Sequence, residues 1–152
     1  MARILIFGGT GRLGSAVAER LRADDHAVFA LGRTVDDLPG DINHAIFCQR
    51  YRGPDNPCGE FSASVLFTAD MMSRIHFAQN PSVIIVSSIV GTRPDLVHTV
   101  PYQCAKAAVI HLAGYLEMKH RVPVAVVTPG AFTGKTIENS MESVVDRIVD
   151  AL

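Results

Sequence analysis

Gly8-Gly9-Thr10-Gly11-Arg12-Leu13-Gly14 stands directly between a short apolar run, Ile4 to Phe7, and a segment in which Leu13, Val17 and Leu21 recur at helical spacing. No other feature of the chain constrains its fold as strongly. Strand, glycine turn and helix follow one another too closely for any arrangement but a helix that starts where a strand ends. The spacing is GxxGxxG. One glycine permits the tight turn, another brings the backbone close to a ligand, and the last lets helix and strand approach. The free N–H groups of the helix start then face an anion, here the pyrophosphate of a dinucleotide. A P-loop is excluded, because no Gly-Lys-Ser/Thr closes the motif.

Short apolar runs and longer helical patterns alternate along the rest of the chain. Ala27 to Leu31, Ala45 to Cys48, the β-branched Ser82 to Ser87, and Val122 to Val127 read as strands. Glu60 to Gln79 has a helical pattern with Val65, Ala69, Met72 and Ile75 on one face. Pro101 opens a second long helix running to about Lys119, and Ser140 caps a last one bearing Met141, Val144, Ile148 and Leu152. The stretch from Arg50 to Gly59, rich in Gly, Pro, Asp and Asn, reads as loop. Nearly continuous apolar strands separated by helices imply a parallel sheet covered on both faces.

The 152 residues fit one domain, residues 1–152, able to bury a core without disulfides. Cys48, Cys58 and Cys104 are an odd set without CxxC spacing, which speaks against a disulfide framework and a zinc site. A reducing compartment, the cytoplasm, is the simplest expectation. The first apolar run is too short for a secretory core, and no stretch reaches the length of a membrane span. With a net charge of −1, nothing points to nucleic acid. The histidines show no metal-ligand spacing, and Met71-Met72 reads as core or subunit interface.

The end of the second strand separates the two nicotinamide cofactors. An acidic residue there would hold the ribose hydroxyls of NAD. The chain has Gly32-Arg33-Thr34 instead, and Arg12 lies in the glycine loop. A guanidinium pairs with a 2′-phosphate, so NADP(H) is expected over NAD(H).

Tyr102 and Lys106 stand four apart at the start of the long helix, on one face. Lysines number only three, Lys106, Lys119 and Lys135, so this pairing carries more weight than in a lysine-rich chain. A tyrosine is a poor acid at neutral pH, but a cation ~5 Å away contributes roughly 3 kcal/mol at an effective dielectric of 20. That draws the phenol toward the range of general acid catalysis. Ser87-Ser88 ends the preceding strand, at the edge of the sheet where open parallel sheets bind ligands. For Arg50 and Arg52 a phosphate contact is the alternative to solvated loop, and solvated loop is the simpler reading; Cys104 reads as an inert small residue.

Taken together, GGTGRLG, VIIVSSIVG, YQCAK and VTPGAFT occur in the order found in the short-chain dehydrogenase/reductases, and the chain resembles that family over nearly its whole length. The resemblance implies a Rossmann-like doubly wound sheet and a catalytic trio of Ser88, Tyr102 and Lys106. It implies cofactor contacts from Gly8, Thr10, Gly11, Arg12 and Leu13, from Arg33, Thr34 and Cys48, from Tyr102 and Lys106, and from Pro129, Gly130 and Thr133. It further implies a small carbonyl or alcohol substrate, and a homodimer or homotetramer built on the helices at 60–79 and 101–119.

The chain also departs from the family. Between Arg33 and Ala45 there is room only for a loop, so one strand and its flanking helices are missing. Cys48-Gln49-Arg50 stands in place of the family's Asn-Ala-Gly, Leu66 in place of a water-holding asparagine, and Ala105 in place of the serine before the lysine. Only 22 residues follow Gly130, leaving little to close over a substrate. A carbonyl reductase, a nucleotide-sugar epimerase or dehydratase, and a non-catalytic NADP(H) binder are all compatible with this pattern.

Overall fold

A computed structural model describes residues 1–32, 35–54, 56–130 and 140–152. Arg33, Thr34 and Thr133, three of the expected cofactor contacts, lie outside the described residues.

Five parallel strands form one sheet: β1 (Arg3–Phe7), β2 (Ala27–Leu31), β3 (Ile42–Phe47), β4 (Phe77–Val86) and β5 (Val124–Val127), in the order β2-β1-β3-β4-β5. Helix α1 (Arg12–Ala23) joins β1 to β2. Between β3 and β4 run α2 (Pro57–Phe61), a π-turn (Ser62–Leu66) and α3 (Phe67–Arg74). Then come a 3₁₀ turn (Ile89–Gly91), the long α4 (Val100–His120) and α5 (Met141–Val149). From β1 the chain winds outward in one direction to β2, then crosses to the other side of β1 for β3. The crevice at that reversal, outside the carboxyl ends of β1 and β3, is where doubly wound sheets take ligands. Among the described residues 35–41 there is neither strand nor helix; the loop expected between Arg33 and Ala45 stops earlier, at Ile42, where β3 begins.

Strand residues alternate between two layers of core, which is why the strands read as unbroken apolar runs. Leu5, Phe7, Ala45, Phe47, Val83 and Ile85 face α3 and α4, meeting Met71, Met72, Val109, Ala113 and Leu116. Ile4, Ile6, Ile46, Ile84 and Val127 face α1 and α5, meeting Val17, Leu21, Val144 and Ile148. Met71 and Met72 are therefore core residues. Phe7 and Phe47 stack at 4.6 Å between centroids, with Phe67 edge-on to Phe7 at 5.5 Å.

Three expectations are corrected. The helix expected to reach Gln79 ends at Arg74, because Ile75 turns to extended geometry and Phe77 pairs with Ile42. Residues 77–81 therefore belong to β4, and His76 lies outside any helix. The strand extends past its β-branched half through the pairing of Phe77 with Ile42, across an irregularity where Asn80 sits at φ 53° and the register shifts. At the other end, the Arg50 to Gly59 loop gives way to α2 at Pro57, which Asn56 caps by accepting from the Cys58 N–H at 2.9 Å. The expected cap at Ser140 is present, its hydroxyl accepting from the Ser143 N–H at 3.1 Å.

Candidate functional site

A cleft of about 810 Å³ opens at the carboxyl edge of the sheet. Each strand that ends there sends its following segment into the lining. Gly8 to Gly14 follow β1, Gly32 follows β2, Cys48 to Arg50 with Arg52 follow β3, Ser87 follows β4, and Pro129-Gly130 follow β5. Tyr102 and Lys106 of α4, and His98 before it, complete the wall.

The glycine loop is shaped for an anion. Gly8 has φ 75°, a conformation costly for residues with a Cβ, and its carbonyl accepts from the Gly11 N–H at 3.0 Å. A Cβ on Gly14 would lie 2.2 Å from the Gly8 carbonyl oxygen, so α1 rests directly on the loop. Gly11 occupies the N-cap of α1, no side chain caps the helix, and its first turn holds no acidic residue. The exposed N–H groups and the positive end of the helix are left for a ligand. A dinucleotide pyrophosphate fits this cradle, with Thr10, Gly11, Arg12 and Leu13 around it.

At the other end of the cleft, Lys106 is 4% exposed, and its Nζ lies 5.6 Å from the centroid of the Tyr102 ring. Burial lowers the lysine to about 8, Glu60 opposing that shift and Arg50 reinforcing it. Below that pH it is a cation beside the phenol. His98 stacks on Tyr102 at 5.5 Å, and the Arg50 guanidinium carbon stands 5.4 Å from the same ring centroid. The loop that presents His98 is braced by two side chains. The Asp95 carboxylate accepts from the Val97 and His98 N–H groups, and the latter bond leads the effects that hold Asp95 below the ordinary carboxylate range. Gln103 accepts from the Asp95 N–H at 2.8 Å and donates to the Asp95 and His98 carbonyls.

The serine pair divides its work. Ser87 lines the cleft, and its hydroxyl donates to the Lys106 carbonyl at 2.8 Å. Ser88 is 9% exposed, lies outside the lining, and makes no side-chain hydrogen bond among the described residues. Cys48 reaches the cleft with part of its surface while its thiol is enclosed. That burial pushes the thiol up to about 12 despite the opposing charge of Lys106, so it is an inert wall at neutral pH. Cys104 is exposed.

The cleft thus gathers Gly8, Thr10, Gly11, Arg12, Leu13, Cys48, Tyr102, Lys106, Pro129 and Gly130 from the expected site residues. Sequence reasoning passed over Gln49; Arg50 and Arg52 are exposed loop residues, as expected, and they also line the cleft. Gln49 donates to Thr68 Oγ at 2.8 Å, which in turn donates to the Ser64 carbonyl. The available signal was position: all three directly follow a strand at the switch point. No group of metal-ligating side chains occurs among the described residues, and no helix among them is long and apolar enough to cross a membrane.

No protein-family model and no curated protein matches the chain. Solved structures do resemble it. A short-chain dehydrogenase/reductase from Vibrio parahaemolyticus superimposes with a TM-score of 0.70 at 16% identity, over 98% of this chain and 92% of that one. The 3-alpha-hydroxysteroid dehydrogenase from Pseudomonas sp. B-0831, complexed with NADH, gives 0.67 at 21%, over 97% and 87%. BdcA in complex with NADPH gives 0.74 at 14%, over 97% and 85%. The chain has the Rossmann-like fold of short-chain dehydrogenase/reductase structures, in a five-stranded form.

Proposed function

We propose that the protein is an NADP(H)-dependent oxidoreductase that reduces a carbonyl or oxidises an alcohol. One observation carries this reading. The buried Lys106, the Tyr102 ring and the uncapped start of α1 all face a single cleft. Structures of the same fold hold NADH or NADPH, which supports a nicotinamide cofactor. The basic Arg12 in the lining, with Arg33 next to Gly32 in the sequence, supports the phosphorylated form.

A bound reduced nicotinamide supplies hydride to the carbonyl carbon. The protein's part is to place the carbonyl and to move a proton. As the carbon gains its new C–H bond, the C=O π pair moves onto oxygen, and the Tyr102 hydroxyl gives that oxygen its proton. The cationic Lys106 stabilises the phenolate left behind and, in the reverse direction, the phenolate that takes the alcohol proton. Ser88 is the partner of the carbonyl oxygen in this reading on its place next to Ser87 alone: it lies outside the cleft lining, while the proton of Ser87, inside it, is given to the Lys106 main-chain carbonyl. Exposed Leu66 after α2 and exposed Tyr115 and Met118 on α4 support association of subunits through these elements.

The test is NADPH-dependent reduction of a carbonyl panel by wild type and Tyr102→Phe. Loss of the proton donor predicts a fall in kcat of about 10²-fold or more. Equal turnover by both proteins would overturn the assigned roles.

A further inference from the structure

Arg50 and Arg52 leave the end of β3 and enter the cleft on the side of Tyr102. The Arg50 guanidinium carbon and the Lys106 ammonium stand at nearly equal distances, 5.4 Å and 5.6 Å, from one ring centroid. The Arg50 charge adds to the lowering of Lys106 that burial leads, as repulsion between like charges requires. Neither arginine makes an ion pair with a carboxylate among the described residues. Glu60 acts on Lys106 from outside the lining, but no Asp or Glu belongs to the described lining itself, whereas the exposed Arg50 and Arg52, with Arg12 and Lys106, all do. In a chain of net charge −1, this concentration of cations calls for more than one anionic group. The α1 start and Arg12, at the glycine loop, would hold the phosphates of a dinucleotide. Arg50 and Arg52 remain, and Arg50 sits beside the phenol that the proposed reaction uses.

We infer that Arg50 and Arg52 form an oxyanion subsite for the substrate, which is therefore a small carbonyl or hydroxyl compound carrying a carboxylate or phosphate. The inference rests on the oxidoreductase reading above. A guanidinium binds either group through paired N–H donors, fixing its orientation as well as its charge. Arg50 would draw the anionic end against the tyrosine wall and present the carbonyl to the hydroxyl.

The experiment compares three aldehydes sharing one reacting carbonyl: 4-formylbenzoate, 4-formylphenyl phosphate and the methyl ester of 4-formylbenzoate. Wild type, Arg50→Gln and Arg52→Gln are assayed with NADPH, and NADPH affinity is measured separately for each protein. Wild type is expected to prefer at least one anion over the ester by about tenfold in kcat/KM, and Arg50→Gln to remove most of that preference. The better of the two anions identifies the source as carboxylate or phosphate. NADPH affinity is expected to change less than about twofold in the variants. Equal use of acid and ester by wild type would overturn the inference, as would arginine variants that weaken NADPH while leaving the preference intact. If no aldehyde is turned over, the oxidoreductase reading fails separately. Calorimetric titration of the two anions into the protein, with and without NADP⁺, then decides: binding lost in Arg50→Gln upholds the subsite, and no binding removes it.

Discussion

The Ser87 hydroxyl donates a 2.8 Å hydrogen bond to the main-chain carbonyl of Lys106, tying the end of β4 to the helix that carries the buried lysine. The bond is enclosed, so no water replaces it when it is removed. Ser87→Ala is expected to lower stability by about 1–2 kcal/mol, read as a shift of the urea midpoint at unchanged m-value. An unchanged midpoint would mean that α4 is held in place by its apolar contacts alone.

Lys106 makes stability depend on pH in a defined direction. Its folded pKa is about 8 against an ordinary 10.5. Below pH 8 both states hold the proton, and the folded protein bears the full cost of a buried cation. Between about 8 and 10.5 the unfolded chain holds more protons, so stability rises with pH across that window, by on the order of 3 kcal/mol in all. Lys106→Met is expected to remove this rise and to be more stable than wild type at pH 7, because a buried charge is replaced by an apolar group of similar length. Urea denaturation of both proteins from pH 7 to 10 measures it. Parallel pH profiles would contradict the origin assigned to the shift.

Gly14→Ala should damage cofactor site and fold together. The added Cβ would meet the Gly8 carbonyl oxygen at 2.2 Å, with main chain on both sides. Relief requires the glycine loop and α1 to separate, at a cost of about 1–3 kcal/mol. NADPH affinity is expected to fall by about tenfold or more, because the loop no longer presents its N–H groups in register. Ser15→Ala serves as the control: Ser15 is outside the cleft lining and its hydroxyl donates only to the Arg12 carbonyl.

How far the sequence could be read depended on what held each segment in place. The five strands and the switch point followed from local pattern, because β1, β3 and the β-branched half of β4 are apolar on both faces. The same held for the glycine loop and the Tyr102–Lys106 pair, whose spacing is local. Residues 77–79 look helical in isolation and become strand only through pairing of Phe77 with Ile42, a partner 35 positions away in the chain. Arg50 and Arg52 are the exposed loop residues that they look like, and only the meeting of β3 with the α4 wall makes that loop a side of the cleft. The distinct duties of Ser87 and Ser88 were likewise beyond a sequence reading, since the partner of Ser87 is a main-chain carbonyl that composition does not reveal.

Calorimetric titration of NADPH and NADH into wild type, Arg12→Ala and Arg33→Ala tests the central claim most directly. The account predicts tight NADPH binding, weaker NADH binding, and a loss of NADPH affinity of about tenfold in at least one arginine variant with NADH little changed. Failure of wild type to bind either nucleotide would contradict it, leaving the glycine loop as a packing device between β1 and α1.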